Sequence, residues 1–153
     1  MTDAPAGIEC LHDFPEQRPP DDDLEAPGGW NVAEVIIAML SKGGYVQESV
    51  EPDDEHHCWF VIVNKADKEY WVRIYVFDDV TVSAEEPPRG CLAPPGPDRK
   101  PPEELLRFLW AEMEQDGRFR DLEWLSYAIS DLGLVTPVGE PGPRTLAWWA
   151  RMQ

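Results

Sequence analysis

Between Cys58 and Ala84 the chain reads CWFVIVNKADKEYWVRIYVFDDVTVSA, two runs rich in Val, Ile, Trp, Tyr and Phe separated by the polar residues 64–69. That pattern predicts a β-hairpin with a longer loop. In the first run Trp59, Val61 and Val63 point one way and Cys58, Phe60 and Ile62 the other. In the second, Val72, Ile74 and Val76 share a face, with Trp71, Arg73, Tyr75 and Phe77 opposite. Because both faces carry apolar groups, one is expected to pack on helices and the other to be covered by further chain or by a partner.

Two segments carry helical periodicity. Val32, Val35, Ile36, Met39 and Leu40 form one stripe over residues 31–42, with Asn31 and Glu34 spaced as a capping box and Gly43-Gly44 as a stop. Leu105, Leu106, Phe108, Leu109, Trp110 and Met113 line a second helix over 102–116, which Pro102 can start and whose positive end suits Glu103 and Glu104. Alternation predicts two more strands, one with a polar face over 45–51, placed at an edge or beside the hairpin, and a short one over 80–84. Residues 118–124 fit a final strand or an extended arm, and 125–132 a short helix. Seven prolines between 87 and 102 exclude helix or ladder there.

Residues 1–28, with Pro19-Pro20-Asp21-Asp22-Asp23, read as an acidic, Pro-rich tail, flexible or extended, which Ile8, Leu11 and Phe14 can anchor. The expected fold is therefore a single α+β domain over 29–153, with an antiparallel sheet of about four strands packed by two main helices. The paired Trp148 and Trp149 are expected to pack back over the sheet's second face.

Charge narrows the partners. Thirty acids against 13 bases give a net charge of -17 over 153 residues, a field that repels phosphate backbones and anionic lipid and attracts basic proteins. Direct nucleic-acid and membrane binding are thus disfavoured. With no apolar run of membrane-spanning length, no signal-peptide pattern and three scattered cysteines, the expected location is the cytoplasm.

Catalytic patterns are weak. His56-His57-Cys58 beside Asp53, Asp54 and Glu55 collects metal-ligand types, but adjacent histidines on a strand point to opposite faces. Phosphate-binding loops and strained serine turns are missing, and no His is placed beside a thiol with an orienting group. A non-enzymatic protein without a cofactor is expected. The acids have a different logic: Asp53, Asp54 and Glu55 precede the hairpin, and Asp78 and Asp79 follow it. In an antiparallel meander both sets fall at one end of the sheet, forming an anionic rim. Together with Glu85, Glu86, Trp71 and Tyr75 they are the expected partner-binding residues, acids setting encounter and aromatics supplying burial. Reversing Asp53, Asp54, Asp78 and Asp79 to Lys is expected to slow association and leave the fold intact.

Gly44-Tyr45, Trp59-Phe60-Val61-Ile62-Val63, Tyr70-Trp71-Val72-Arg73-Ile74, Asp78-Asp79, and a helix followed by Asp116-Gly117-Arg118-Phe119-Arg120-Asp121-Leu122-Glu123-Trp124 together resemble small bacterial proteins of the immunity type over about residues 31–125. The resemblance implies a cytoplasmic antidote that inhibits a cognate toxin by tight binding, without catalysis. Three rivals remain: a phage-encoded inhibitor of a nucleic-acid-handling defence complex whose acids mimic phosphates, an acidic secretion chaperone, and an enzyme or metal protein built on His56, His57 and Cys58.

Overall fold

The computed structural model describes residues 7–17, 27–53, 57–87 and 102–125, together with the backbone of 127–129 and 135–137. In chain order the elements are β1 (Gly7–His12), α1 (Trp30–Lys42), β2 (Val46–Asp53), β3 (Cys58–Lys65), β4 (Lys68–Val76), β5 (Asp79–Glu85), α2 (Glu103–Gln115), β6 (Phe119–Trp124), β7 (Tyr127–Ile129) and β8 (Val135–Pro137). The fold is α+β: an antiparallel six-stranded sheet in the order β2-β3-β4-β5-β1-β6, with β7 and β8 forming a separate two-stranded ladder.

The central hairpin forms where the alternation predicts it, with a tighter turn. Asn64 pairs with Glu69 and Lys65 with Lys68, so only Ala66 and Asp67 remain in the turn. Their φ angles of 52° and 63° give the left-handed pair that matches strand twist in two-residue hairpins. Neither residue is the Gly or Asn that normally announces such a turn, which is why the polar run 64–69 looks like a longer loop.

Six strands replace the expected four. β6 takes the strand alternative for residues 118–124, and β1 is new. β1 belongs to the acidic stretch expected to run flexible or extended, and it is extended as an inner strand, paired with β5 on one side and β6 on the other. Ile8 and Cys10 are fully buried on the helix side, and Glu9 is fully buried on the other. Six residues with one buried acid carry too little alternation to stand out locally; neighbours distant in sequence supply the burial. Residues 127–129, expected within a short helix, are strand β7, which suits the β-forming Tyr127 and Ile129. Trp148 and Trp149 lie outside the described residues.

Both helices pack on one face of the sheet. Val32, Ala33, Ile36, Ile37 and Leu40 of α1, and Leu105, Leu106, Leu109 and Met113 of α2, are buried. They meet Val61, Val63, Val72, Ile74, Val80 and Val82 from the sheet. Each such side chain contributes roughly 1.5–3 kcal/mol of burial free energy. The start of α1 differs from the capping box expected at Asn31 and Glu34. The N-cap is Gly29, with φ 74° and no side-chain cap, and Asn31 lies in the first turn. Asn31 N–H donates to Gln17 Oε1 at 2.8 Å, and Asn31 Nδ2 donates to the Pro15 carbonyl at 3.0 Å. The segment after β1 thus caps the helix from outside. A Cβ on Gly29 would lie 2.3 Å from Val76 Cγ1, so glycine is required there both for its φ and for the close approach to β4.

β2 is the edge, as its polar pattern suggests. Its register slips between Gln47 and Ser49, and Gln47, Glu48, Glu51 and Pro52 are exposed. A bulge, charge and proline together discourage further strands from pairing there.

Candidate functional site

The chemistry-bearing residues gather on the sheet face turned away from the helices. One cross-strand row runs through Asp53, Cys58, Tyr75, Thr81, Glu9 and Glu123: Asp53 pairs with Cys58, Tyr75 with Thr81, and Glu9 with both Thr81 and Glu123, while the Trp59–Ile74 pairing sets Cys58 beside Tyr75. A second row holds Glu51, Phe60, Arg73 and Ser83, and a third Ser49, Ile62, Trp71 and Glu85.

The first row is closed to solvent at its centre. Tyr75 is 1% exposed, and Cys58, Thr81 and Glu9 are fully buried. The Tyr75 hydroxyl donates to the Cys58 sulfur. Burial, reinforced by the Asp53 charge, pushes the Cys58 thiol up to about 12. Burial, then the neighbouring thiol, pushes the Tyr75 phenol up from its usual value near 10. At neutral pH both groups are therefore protonated, and Cys58 carries almost no thiolate for nucleophilic chemistry.

Arg73 in the second row reaches Glu85 in the third, Nη1 to Oε1 at 2.5 Å, with both side chains mostly buried. Burial works against the guanidinium charge, and the Glu85 hydrogen bond and charge overcome it, so Arg73 is held more firmly protonated than usual. Its guanidinium carbon also lies 5.1 Å from the Phe60 ring centroid. Replacing Glu85 with Ala is expected to cost about 3 kcal/mol, because a buried cation loses its carboxylate. Glu85→Ala combined with Arg73→Met, which removes both charges and keeps the stem, is expected to cost less than half of that. Urea denaturation of the two variants measures the difference; equal costs would show that the carboxylate does not hold the cation.

Towards β2 the face opens. Phe60, Ile62 and Trp71 are half-buried, and Phe60 meets Trp71 edge to face with centroids 5.5 Å apart. Trp71 Nε1 donates to Glu69 Oε2 at 3.0 Å, and Asn64 Nδ2 to Glu48 Oε2 at 2.7 Å.

The expected partner-binding residues divide over this frame. Asp53 ends β2, and Asp78 sits exposed in the link from β4 to β5, so the two do share one end of the sheet. Asp54 and Glu55 lie outside the described residues. Asp79 is 4% exposed and Tyr75 is enclosed; neither has surface to offer, and reversing Asp79 would place a lysine inside the sheet rather than on a rim. Glu85 and Glu86 stand at the opposite end, where Glu85 holds Arg73 and Glu86 accepts from Lys68 at 3.0 Å. Trp71 is part of the open surface, with Phe60 and Ile62; the alternation set Phe60 and Ile62 on one face of their strand without assigning them a role. Arg73 was likewise visible as a cation inside an apolar alternation.

At the Asp53 and Asp78 end, His12 Nδ1 accepts from the Phe14 N–H at 3.2 Å, leaving Nε2 to donate to the Phe77 carbonyl, also at 3.2 Å. His57 is exposed in the turn before β3 with φ 55°, and His56 lies outside the described residues. Among the described residues no three His, Cys, Asp or Glu side chains gather closely enough to hold a metal ion, and no helix is long and apolar enough to cross a membrane.

The fold and site thus define an acidic α+β protein with a polar sheet face closed at its centre and open towards one edge. No protein family, no curated protein and no solved structure matches this chain.

Proposed function

We propose that the chain is a non-enzymatic inhibitory binding protein of the immunity type, which neutralises a cognate toxin by covering a basic surface of it. The observation that carries this reading is the pairing of a net charge of -17 with carboxylates that point outward and have no cation beside them. Glu48, Glu51 and Asp78 are exposed, and none belongs to an ion pair among the described residues. Such a field accelerates encounter with a basic protein and disfavours nucleic acid and anionic lipid. The protonated, enclosed state of Cys58 and Tyr75 supports binding over catalysis.

The test is co-expression with the neighbouring reading frame. A basic product that stops growth unless this chain is present, and that co-purifies with it one to one, is the expected result; a neighbour that is harmless alone and does not bind would overturn the reading. The anionic end has its own expectation. Asp53→Lys with Asp78→Lys should slow association at least tenfold at low ionic strength, as measured by stopped-flow fluorescence, with the thermal midpoint little changed. Asp79 is left untouched because it is buried. Unchanged association would remove this end of the sheet from the encounter.

A further inference from the structure

The open part of the sheet face has a chemistry of its own, distinct from the anionic end. Phe60, Ile62 and Trp71 lie in adjacent cross-strand rows, Ile62 directly opposite Trp71 and Phe60 opposite Arg73, so they form one continuous apolar step. Around it stand Glu48, Glu51 and Glu69. Among the described residues Glu48 and Glu69 accept from the neutral donors Asn64 and Trp71 alone, and Glu51 is exposed opposite Phe60. The nearby cations are engaged elsewhere: Arg73 by Glu85, Lys68 by Glu86 at 3.0 Å, and Lys65 over the Tyr45 ring at 4.6 Å.

An aromatic and aliphatic step rimmed by uncompensated carboxylates fits one kind of occupant. It must bury apolar side chains, and it must bring positive charge. We propose that this surface holds the protein partner, and that the partner's contribution is an amphipathic segment that sets apolar side chains on Phe60, Ile62 and Trp71 and arginines against Glu48, Glu51 and Glu69. Arginine suits the site better than lysine because its guanidinium can lie on an aromatic face while it pairs with a carboxylate, as Arg73 already lies beside Phe60. The proposal rests on the reading of the chain as a binder of a basic protein, and it assigns the two acidic regions different work. The Asp53 and Asp78 end governs how fast the partner arrives; the Phe60, Ile62 and Trp71 step governs how long it stays.

The probe is a synthetic peptide of alternating Arg and Leu, with a Glu and Leu peptide as control, titrated into the ¹⁵N-labelled full chain. The expected result is saturable binding of the basic peptide alone, with shifts in the Trp71 indole N–H and in the amides of 48–51, 60–62 and 69–71. Glu48→Lys with Glu51→Lys, both at exposed positions, should weaken binding at least tenfold. Asp78→Lys alone should change it less than threefold, since Asp78 lies five residues beyond Arg73, roughly 15 Å at strand rise and beyond the Debye length of about 8 Å at physiological salt. The reverse ranking, equal binding of the acidic peptide, or no saturable binding would overturn the surface assignment. Growth protection in co-expression reads the immunity-type function separately, so a chain that protects cells while its step ignores the basic peptide loses this surface and keeps that function.

Discussion

Removing residues 1–13 is expected to abolish cooperative folding. Among the described residues β1 alone joins β5 to β6 in the sheet, so its loss exposes the inner edge of β5 and takes away the strand on which β6 pairs. Ile8 and Cys10 leave the core, and the Leu125 N–H loses the Gly7 carbonyl it meets at 2.7 Å. Truncating one buried Ile to Ala typically costs about 2–5 kcal/mol, and losing a whole inner strand exceeds the roughly 5–15 kcal/mol by which domains are stable. Graded variants resolve the strand's share: Ile8→Val should cost about 1 kcal/mol and Ile8→Ala about 3 kcal/mol. Gly7→Val should be worse than its size implies, because a Cβ there would lie 2.3 Å from the Val82 carbonyl oxygen, a backbone atom that cannot step aside. Urea denaturation followed by far-UV circular dichroism measures all of these. A shortened chain that unfolds cooperatively at the full-length midpoint would show that β1 is dispensable.

Alkaline pH is expected to unfold the protein earlier than its lysines alone would. Cys58 has its thiol raised from the usual 9.0 to about 12 in the folded protein. Above pH 9 the unfolded chain releases that proton while the folded chain keeps it, so the native state binds more protons and stability falls as pH rises. The contribution is complete below pH 9 and is lost progressively towards pH 12, by about 4 kcal/mol in all at roughly 1.4 kcal/mol per pH unit. Tyr75, also raised, adds a loss of the same sign above pH 10. Cys58→Ala removes the thiol's share, so the variant should start less stable at pH 8 and show a shallower decline between pH 9 and 11. Parallel stability profiles for the two proteins would mean that the thiol ionises normally inside the fold.

These expectations also show where the chain's own pattern was sufficient. The β3–β4 hairpin, β5, the helix faces and the edge character of β2 follow from alternation and 3.6-residue periodicity, because each buries a stripe that its own residues spell out. The common end of Asp53 and Asp78 follows from antiparallel connection alone. Arg73 and the aromatic face of β3 and β4 were likewise readable, since period-2 geometry leaves them no other side.

What the chain's pattern left open depends on neighbours far away in sequence. β1 is a strand because β5 and β6 pair with it, not because GIECLH announces one. Ala66 and Asp67 turn in two residues because the flanking strands impose left-handed φ angles on them. Gln17 and Pro15, not a capping box, complete the start of α1. The division of the acids is the largest such case. Asp78 and Asp79 are neighbours in the chain, yet one is exposed and the other sealed in the sheet. Glu85 is spent on Arg73, whereas Glu48 and Glu51 remain outward. Composition thus determined that the protein is acidic, and the hydrophobic pattern that it is α+β. Which carboxylates meet solvent, and which aromatics stand beside them, was decided only when the strands took their register, because burial belongs to the pairing and not to the residue.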